Sequence, residues 1–143
     1  MKEPLIYQGA NAVSLFARLI HQNKKKLPLR SSEIGLLIYT VKSTEPVTPV
    51  MAATYFKVSK PMITAMVKTL AKEGYVIKTP SPSDKRSYLL TPTEKAKTFT
   101  KGIYEEYFRD MQLLLDSLGP ARFSQLIQLI EEANDCLVAE KRS

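Results

Sequence analysis

Cysteine and histidine are almost absent from this 143-residue chain, which has one of each, Cys136 and His21. A single cysteine excludes a disulfide framework within the chain, and so few candidate ligands argue against a dedicated zinc or iron site. No metal and no cofactor is expected. Long apolar runs are missing too, and none approaches the roughly 18 residues that a membrane span needs. The opening Met-Lys-Glu-Pro-Leu-Ile-Tyr-Gln puts an acid and a proline where a secretory leader needs an unbroken apolar core. A cytoplasmic protein without membrane contact is expected. Catalytic sets are equally scarce. His21 and Cys136 suggest a Cys–His nucleophile only until a third orienting group and an oxyanion element are sought, and neither is legible. No enzyme is expected. His21 reads as a helix C-terminal cation or a plain surface residue, and Cys136, beside Leu137 and Val138, as a small hydrophobe.

What is present is an ordinary folded composition, 44% hydrophobic and 24% charged, long enough for one domain or for two small lobes sharing a core. The net charge of +7 is not spread evenly. Between Lys42 and Lys101 stand eleven Lys and Arg against four Asp and Glu, while the flanks hold ten of each sign and cancel. The whole excess therefore lies in the middle segment, as a surface facing a polyanion requires.

Periodicity divides the chain into helices with one strand pair. Ile6 to Gln22 repeats Ile6, Ala10, Val13, Ala17 and Ile20 at helical steps, widened by Leu15, Phe16 and Leu19, and Lys24-Lys25-Lys26 with Pro28 ends it. A second helix is expected after Ser31 or Ser32 as N-cap, with Ile34, Leu37, Ile38 and Val41 on one face. Thr48 caps a short third helix with Pro49 in its first turn and Val50, Ala53 and Phe56 inward. After the turn Lys57-Val58, Ser59 caps a fourth, carrying Ile63, Met66, Val67 and Leu70 and ending at Gly74. Strands are expected over Tyr75–Thr79 and Ser87–Leu90 around the loop Pro80–Arg86. Thr91-Pro92-Thr93-Glu94 reads as a capping box opening a long helix to Leu118, broken by Gly119-Pro120, and a last helix covers Ala121 to Ala139.

Short helix, tight turn, longer helix and hairpin together make a winged helix-turn-helix. Since Ile63, Met66, Val67 and Leu70 fix the inward stripe of the fourth helix, its opposite face carries Pro61, Thr64, Ala65, Lys68 and Lys72. Small residues there admit base edges, and Lys60, Lys68 and Lys72 suit phosphates.

Residues Val47-Thr-Pro-Val-Met-Ala52, Ser59-Lys-Pro-Met-Ile-Thr-Ala-Met-Val-Lys-Thr-Leu70, Glu73-Gly-Tyr-Val76, Asp84-Lys-Arg-Ser87 and Leu90-Thr-Pro92 resemble the DNA-binding lobe of the MarR family of bacterial transcription regulators. The Asp-Lys-Arg-Ser wing is the most specific of these stretches, and the order of elements agrees along the whole chain. The resemblance implies a mainly α fold with a small β-hairpin wing, divided into a winged helix-turn-helix lobe (31–92) and a helical dimerisation lobe (5–27 and 93–141). It implies a homodimer on double-stranded DNA, working as a ligand-responsive repressor at a pseudo-palindromic operator. In the DNA-binding lobe Ser59, Lys60, Pro61, Thr64, Ala65, Lys68 and Lys72 form the recognition helix face, and Asp84, Lys85, Arg86 and Ser87 the wing. Arg86 corresponds to the arginine at the minor groove, Lys85 to a backbone contact, and Asp84 to the acid bracing the arginine side chain. Two departures stand out. The spacing from Asp84 to Thr91 is about two residues short, which preserves strand alternation, and Glu94 stands where the family often has glycine. Tyr39, Phe16, Tyr104 and Tyr107 read either as ordinary core aromatics or as lining of the junction where relatives take small aromatic or phenolic effectors, and no ligand residue is assigned. The competing reading is a winged-helix protein-interaction module whose basic patch meets an acidic partner.

Overall fold

A computed structural model of the chain describes residues 3–20 and 27–142. Six helices and one antiparallel strand pair follow in the order α1 (Glu3–Leu19), α2 (Ser31–Lys42), α3 (Pro49–Phe56), α4 (Lys60–Lys72), β1 (Val76–Pro80), β2 (Tyr88–Pro92), α5 (Glu94–Leu118) and α6 (Pro120–Arg142). This is the mainly helical, hairpin-bearing architecture expected from the periodicity. Gln22, His21 and the run from Lys24 to Lys26, expected to close the first helix, lie outside the described residues.

The core gathers around α2, which touches α4, α5 and β2. Ile34, Leu36 and Leu37 of α2, Ile63, Val67 and Leu70 of α4, and Val47 and Leu90 are each 0–1% exposed. Burying a side chain of this size contributes about 1.5–3 kcal/mol. Leu36 was not on the expected apolar face. It is buried because a helix covered on several sides needs more than one stripe. The start of α2 also differs from expectation: the N-cap is Arg30, not Ser31 or Ser32. Arg30 offers no favourable cap side chain, so the carboxylate of Glu33 reaches back and accepts from the Arg30 backbone N–H at 2.9 Å, the acidic half of a capping box.

Helices α3 and α4 start as their sequences predict. Thr48 accepts from Met51 N–H at 3.1 Å and Ser59 from Met62 N–H at 3.3 Å. The inward face of α3 is rotated from the expected one, however. Pro49 and Ala52 are buried while Val50 is 57% exposed, because Pro49, Ala52, Ala53 and Phe56 form the i, i+3, i+4, i+7 stripe. Gly74, at φ 82°, lets the chain leave α4 in the left-handed conformation, and the Tyr75 N–H donates back to the Leu70 carbonyl at 2.8 Å.

The hairpin pairs Val76 with Pro92, Lys78 with Leu90 and Pro80 with Tyr88. Its base is held by a bridge to the residue before α3: Leu90 N–H donates to the Val47 carbonyl at 2.8 Å, and Val47 N–H donates in return. Strand β2 runs two residues beyond the expected Leu90, which moves the following cap. Thr93, not Thr91, is the N-cap of α5, accepting from Ala96 N–H at 3.2 Å, while its own hydroxyl donates to the Gly74 carbonyl at 2.7 Å. Pro92 closes the strand and does not enter the helix. Measured to Thr93, the wing has no two-residue deficit, and the position assigned to Glu94 falls on Ala96, which is fully buried.

Outside this core the helical elements are largely uncovered. Residues 4–19 of α1 are exposed throughout, with Leu5 at 75%, Ile6 at 70% and Val13 at 67%. Leu113 of α5 and Leu129 and Leu137 of α6 are exposed as well. Gly119, at φ 86°, separates α5 from α6, which pack on each other. No helix among the described residues is long and apolar enough to cross a membrane.

The displaced cap is directly testable. Thr93→Ala is expected to lower unfolding stability by about 1–2 kcal/mol, whereas Thr91→Ala, on an exposed strand position, changes it by less than about 0.5 kcal/mol. Urea denaturation of the two variants checks this; equal losses would return the cap to Thr91.

Candidate nucleic-acid interface

The exposed face of α4 is the one the apolar stripe dictates. Lys60, Pro61, Thr64, Ala65, Lys68 and Lys72 are exposed, and Met62 joins them, while Ile63, Met66, Val67 and Leu70 point into the core. Ser59 is exposed but its hydroxyl is engaged as the cap. Thr64 donates to the Lys60 carbonyl at 3.0 Å, so its methyl and hydroxyl stay close to the helix surface. The positive charge of this face comes from mobile lysine stems, which suit phosphates more than bases.

Sequence reading missed a residue where this face meets the wing. Tyr88, the first residue of β2, lies beside the Thr64 side chain. On its other side the Lys78 ammonium lies 5.0 Å from the ring centroid. Burial pushes the Tyr88 phenol above its ordinary value, and the Thr64 side chain draws it partly back. The available signal was strand alternation, which puts Tyr88 and Leu90 on the same side of β2 and Leu90 in the core.

The wing tip is organised by short polar side chains. The Ser81 hydroxyl accepts from the Asp84 N–H at 3.3 Å, and Ser87 N–H donates to the Asp84 carbonyl at 3.1 Å. The Asp84 carboxylate accepts from the backbone N–H of Arg86 at 2.9 Å. It shapes the turn instead of gripping the Arg86 guanidinium, correcting the expected brace. An aspartate two residues upstream reaches the amide more easily than a long side chain pointing outward. Lys85 and Arg86 are exposed beyond it, and Ser87 is half-buried.

A second feature lies between the helix-turn-helix and α5. Gly35, Tyr39, Tyr55, Phe56, Tyr104, Tyr107 and Phe108 line an aromatic cavity of about 460 Å³. Three of the four aromatic residues with a junction reading, Tyr39, Tyr104 and Tyr107, meet here. Phe16 remains on the uncovered α1. The absence of a side chain at Gly35 is what admits α5: a Cβ there would sit 3.0 Å from the Tyr107 hydroxyl. Lys42 closes one side, its Nζ donating to the Tyr104 hydroxyl at 3.1 Å. Burial pushes the Tyr107 phenol above its ordinary value.

Against known proteins, residues 35–88 match the model of the MarR family, a span reaching from α2 to Tyr88. The match covers less than half of the chain. A MarR protein from Peptoclostridium difficile has 25% sequence identity and a TM-score of 0.72, over 96% of this chain and 89% of its own. A MarR family regulator from Streptomyces coelicolor, solved in complex with DNA, reaches a TM-score of 0.79 at 20% identity, over 95% and 88%. A MarR/EmrR family regulator from Acinetobacter reaches 0.72 at 16% identity, over 92% and 94%. The shared fold thus extends from the matched span to the outer helices, and that span includes the wing motif on which the resemblance rested. No curated protein matches the chain.

Two half-buried phenols, Tyr88 of β2 and Tyr107 of α5, give a pH dependence. Both are raised above the usual 10.0, so folding favours their neutral forms. That contribution is complete below the unfolded value of about 10 and is lost as pH rises further, when the unfolded chain ionises first. The urea midpoint is expected to fall above about pH 10, and less steeply in Tyr107→Phe. Identical alkaline slopes for both proteins would remove Tyr107 from the account.

Proposed function

We propose that this protein is a DNA-binding transcription regulator that binds a pseudo-palindromic operator as a homodimer, represses transcription, and responds to a small aromatic or phenolic effector. One observation carries the reading: the exposed face of α4, with Lys60, Lys68 and Lys72, packs through β1 against a wing that presents Lys85 and Arg86. Two basic elements held in fixed relation suit a groove and its flanking phosphates. The Streptomyces coelicolor regulator of the same fold was solved with DNA, which supports the assignment. Ser59, Lys60, Pro61, Thr64, Ala65, Lys68 and Lys72 then face the major groove, and Lys85 and Arg86 follow the backbone and minor groove. Asp84 and Ser87 hold the wing tip in shape.

The dimer reading rests on uncovered apolar surface. An isolated 17-residue helix such as α1 is marginal in water without a packed face, and Leu5, Ile6 and Val13 have no cover in the protomer. A second copy supplies it with the same surface on both sides. For the effector, the support is the aromatic cavity between Tyr39, Tyr55 and Tyr107, which has room for a single-ring ligand.

Fluorescence anisotropy with DNA selected from a random pool tests the function. Affinity is expected to fall steeply with salt, and Arg86→Ala or Lys68→Ala to lower the slope of log K against log salt by about one unit each. Unaltered DNA binding in both variants would favour a protein-interaction module instead. Small aromatic acids added to the same titration are expected to release the DNA, and no response across a panel would sink the effector part. Sedimentation tests the assembly: the wild type is expected as a dimer and Val13→Glu as a monomer with weakened operator binding, and a monomeric wild type would refute it.

A further inference from the structure

The turn between α3 and α4 contains the sole non-glycine residue with positive φ among the described residues, Lys57 at φ 56° and ψ 42°. A lysine has no intrinsic reason to adopt the left-handed conformation, and a β-carbon makes it unfavourable there. The side chain of the same residue forms an ion pair with the Asp135 carboxylate of α6, which is 78 positions away in sequence. Apolar side chains flank the charge. Leu137 and Val138, on the next turn of α6, line one hollow with Val58, Ser59 and Met62, the turn and first residues of α4. Asn134 and Glu131 face Tyr55 and Phe56 on the other side. Helix α6 therefore meets the turn between α3 and α4 at this ion pair.

The geometry points to Asp135 as a positioning residue for the recognition helix: by holding Lys57, it fixes the helix-turn-helix turn against α6. This inference rests on the DNA-binding reading above. The pair is half-exposed, 48% and 62% at its two side chains, so its contribution to global stability is small. Its effect falls on orientation. The pair restrains the rotation of Lys57 about a backbone conformation that the residue does not favour by itself, and α4 begins three residues later. A movement of α6 would pass to α4 through this contact.

Simple electrostatics predicts the opposite outcome, which makes the inference decidable. Asp135→Asn removes a negative charge and frees Lys57 for phosphate, so by charge alone it tightens DNA binding. A positioning role instead predicts operator binding about three- to fivefold weaker at fixed salt, with little change in thermal midpoint. The exchange of charges in Lys57→Asp with Asp135→Lys should recover affinity relative to Lys57→Asp alone. Hydrogen exchange gives a readout that needs no DNA: the amides of Val58 and Met62 should exchange faster in Asp135→Asn. Equal or tighter operator binding by Asp135→Asn overturns the inference, and so does unchanged exchange at these amides, whatever the DNA result. If the wild type binds no DNA, the reading above fails, and the exchange measurement alone decides this one.

Discussion

The pairing of Val47 with Leu90 is the joint on which the rest of the structure depends. Both side chains are buried, and their backbones exchange hydrogen bonds outside the hairpin ladder. Val47 stands just before the Thr48 cap, so its placement sets where α3 begins. Leu90 lies mid-strand, so its placement sets the root of the wing. Two elements 43 residues apart in sequence thus share one anchor in the core, with Ile63, Val67 and Leu70 of α4 packed in the same cluster. Loss of either side chain would loosen the short helix and the wing together.

That economy explains why much of the fold was legible in the sequence. Thr48-Pro49, Ser59 and Gly74 are local signals whose chemistry is complete within a few residues, and the structure uses each as read. The errors arose where a choice was settled at long range. Thr91 stands three residues before Glu94, the capping-box spacing, whereas Thr93 directly precedes it, and Pro92 fits either a strand end or a first turn. The decision came from the Thr93 hydroxyl, which also donates to Gly74, 19 residues upstream. Arg30 carried no cap signal because the useful side chain belonged to Glu33. Val50 was expected inward, but Pro49 and Ala52 occupy the packed face instead.

The candidate site shows the same division. Which residues of α4 are exposed follows from the position of its apolar stripe, so the exposure of Lys68 and Lys72 was legible without the structure. What each polar group does was not equally legible. Asp84 spends its carboxylate on a backbone amide, Lys95 caps the end of α4 by donating to the Glu73 carbonyl at 2.6 Å, and Tyr88 lies beside Thr64 of α4. These roles depend on which neighbour is nearest in space, and a charge count cannot supply that.

The wing is two strands wide, so each strand has a side without a continuous partner. Such edges invite another chain to extend the sheet. On β1 the strand ends at Pro80, which has no N–H to offer, and it carries the charge of Lys78 at its middle. On β2 the open side is interrupted by the single bridge to Val47. The residues that shape the wing thus also discourage a second chain from extending it.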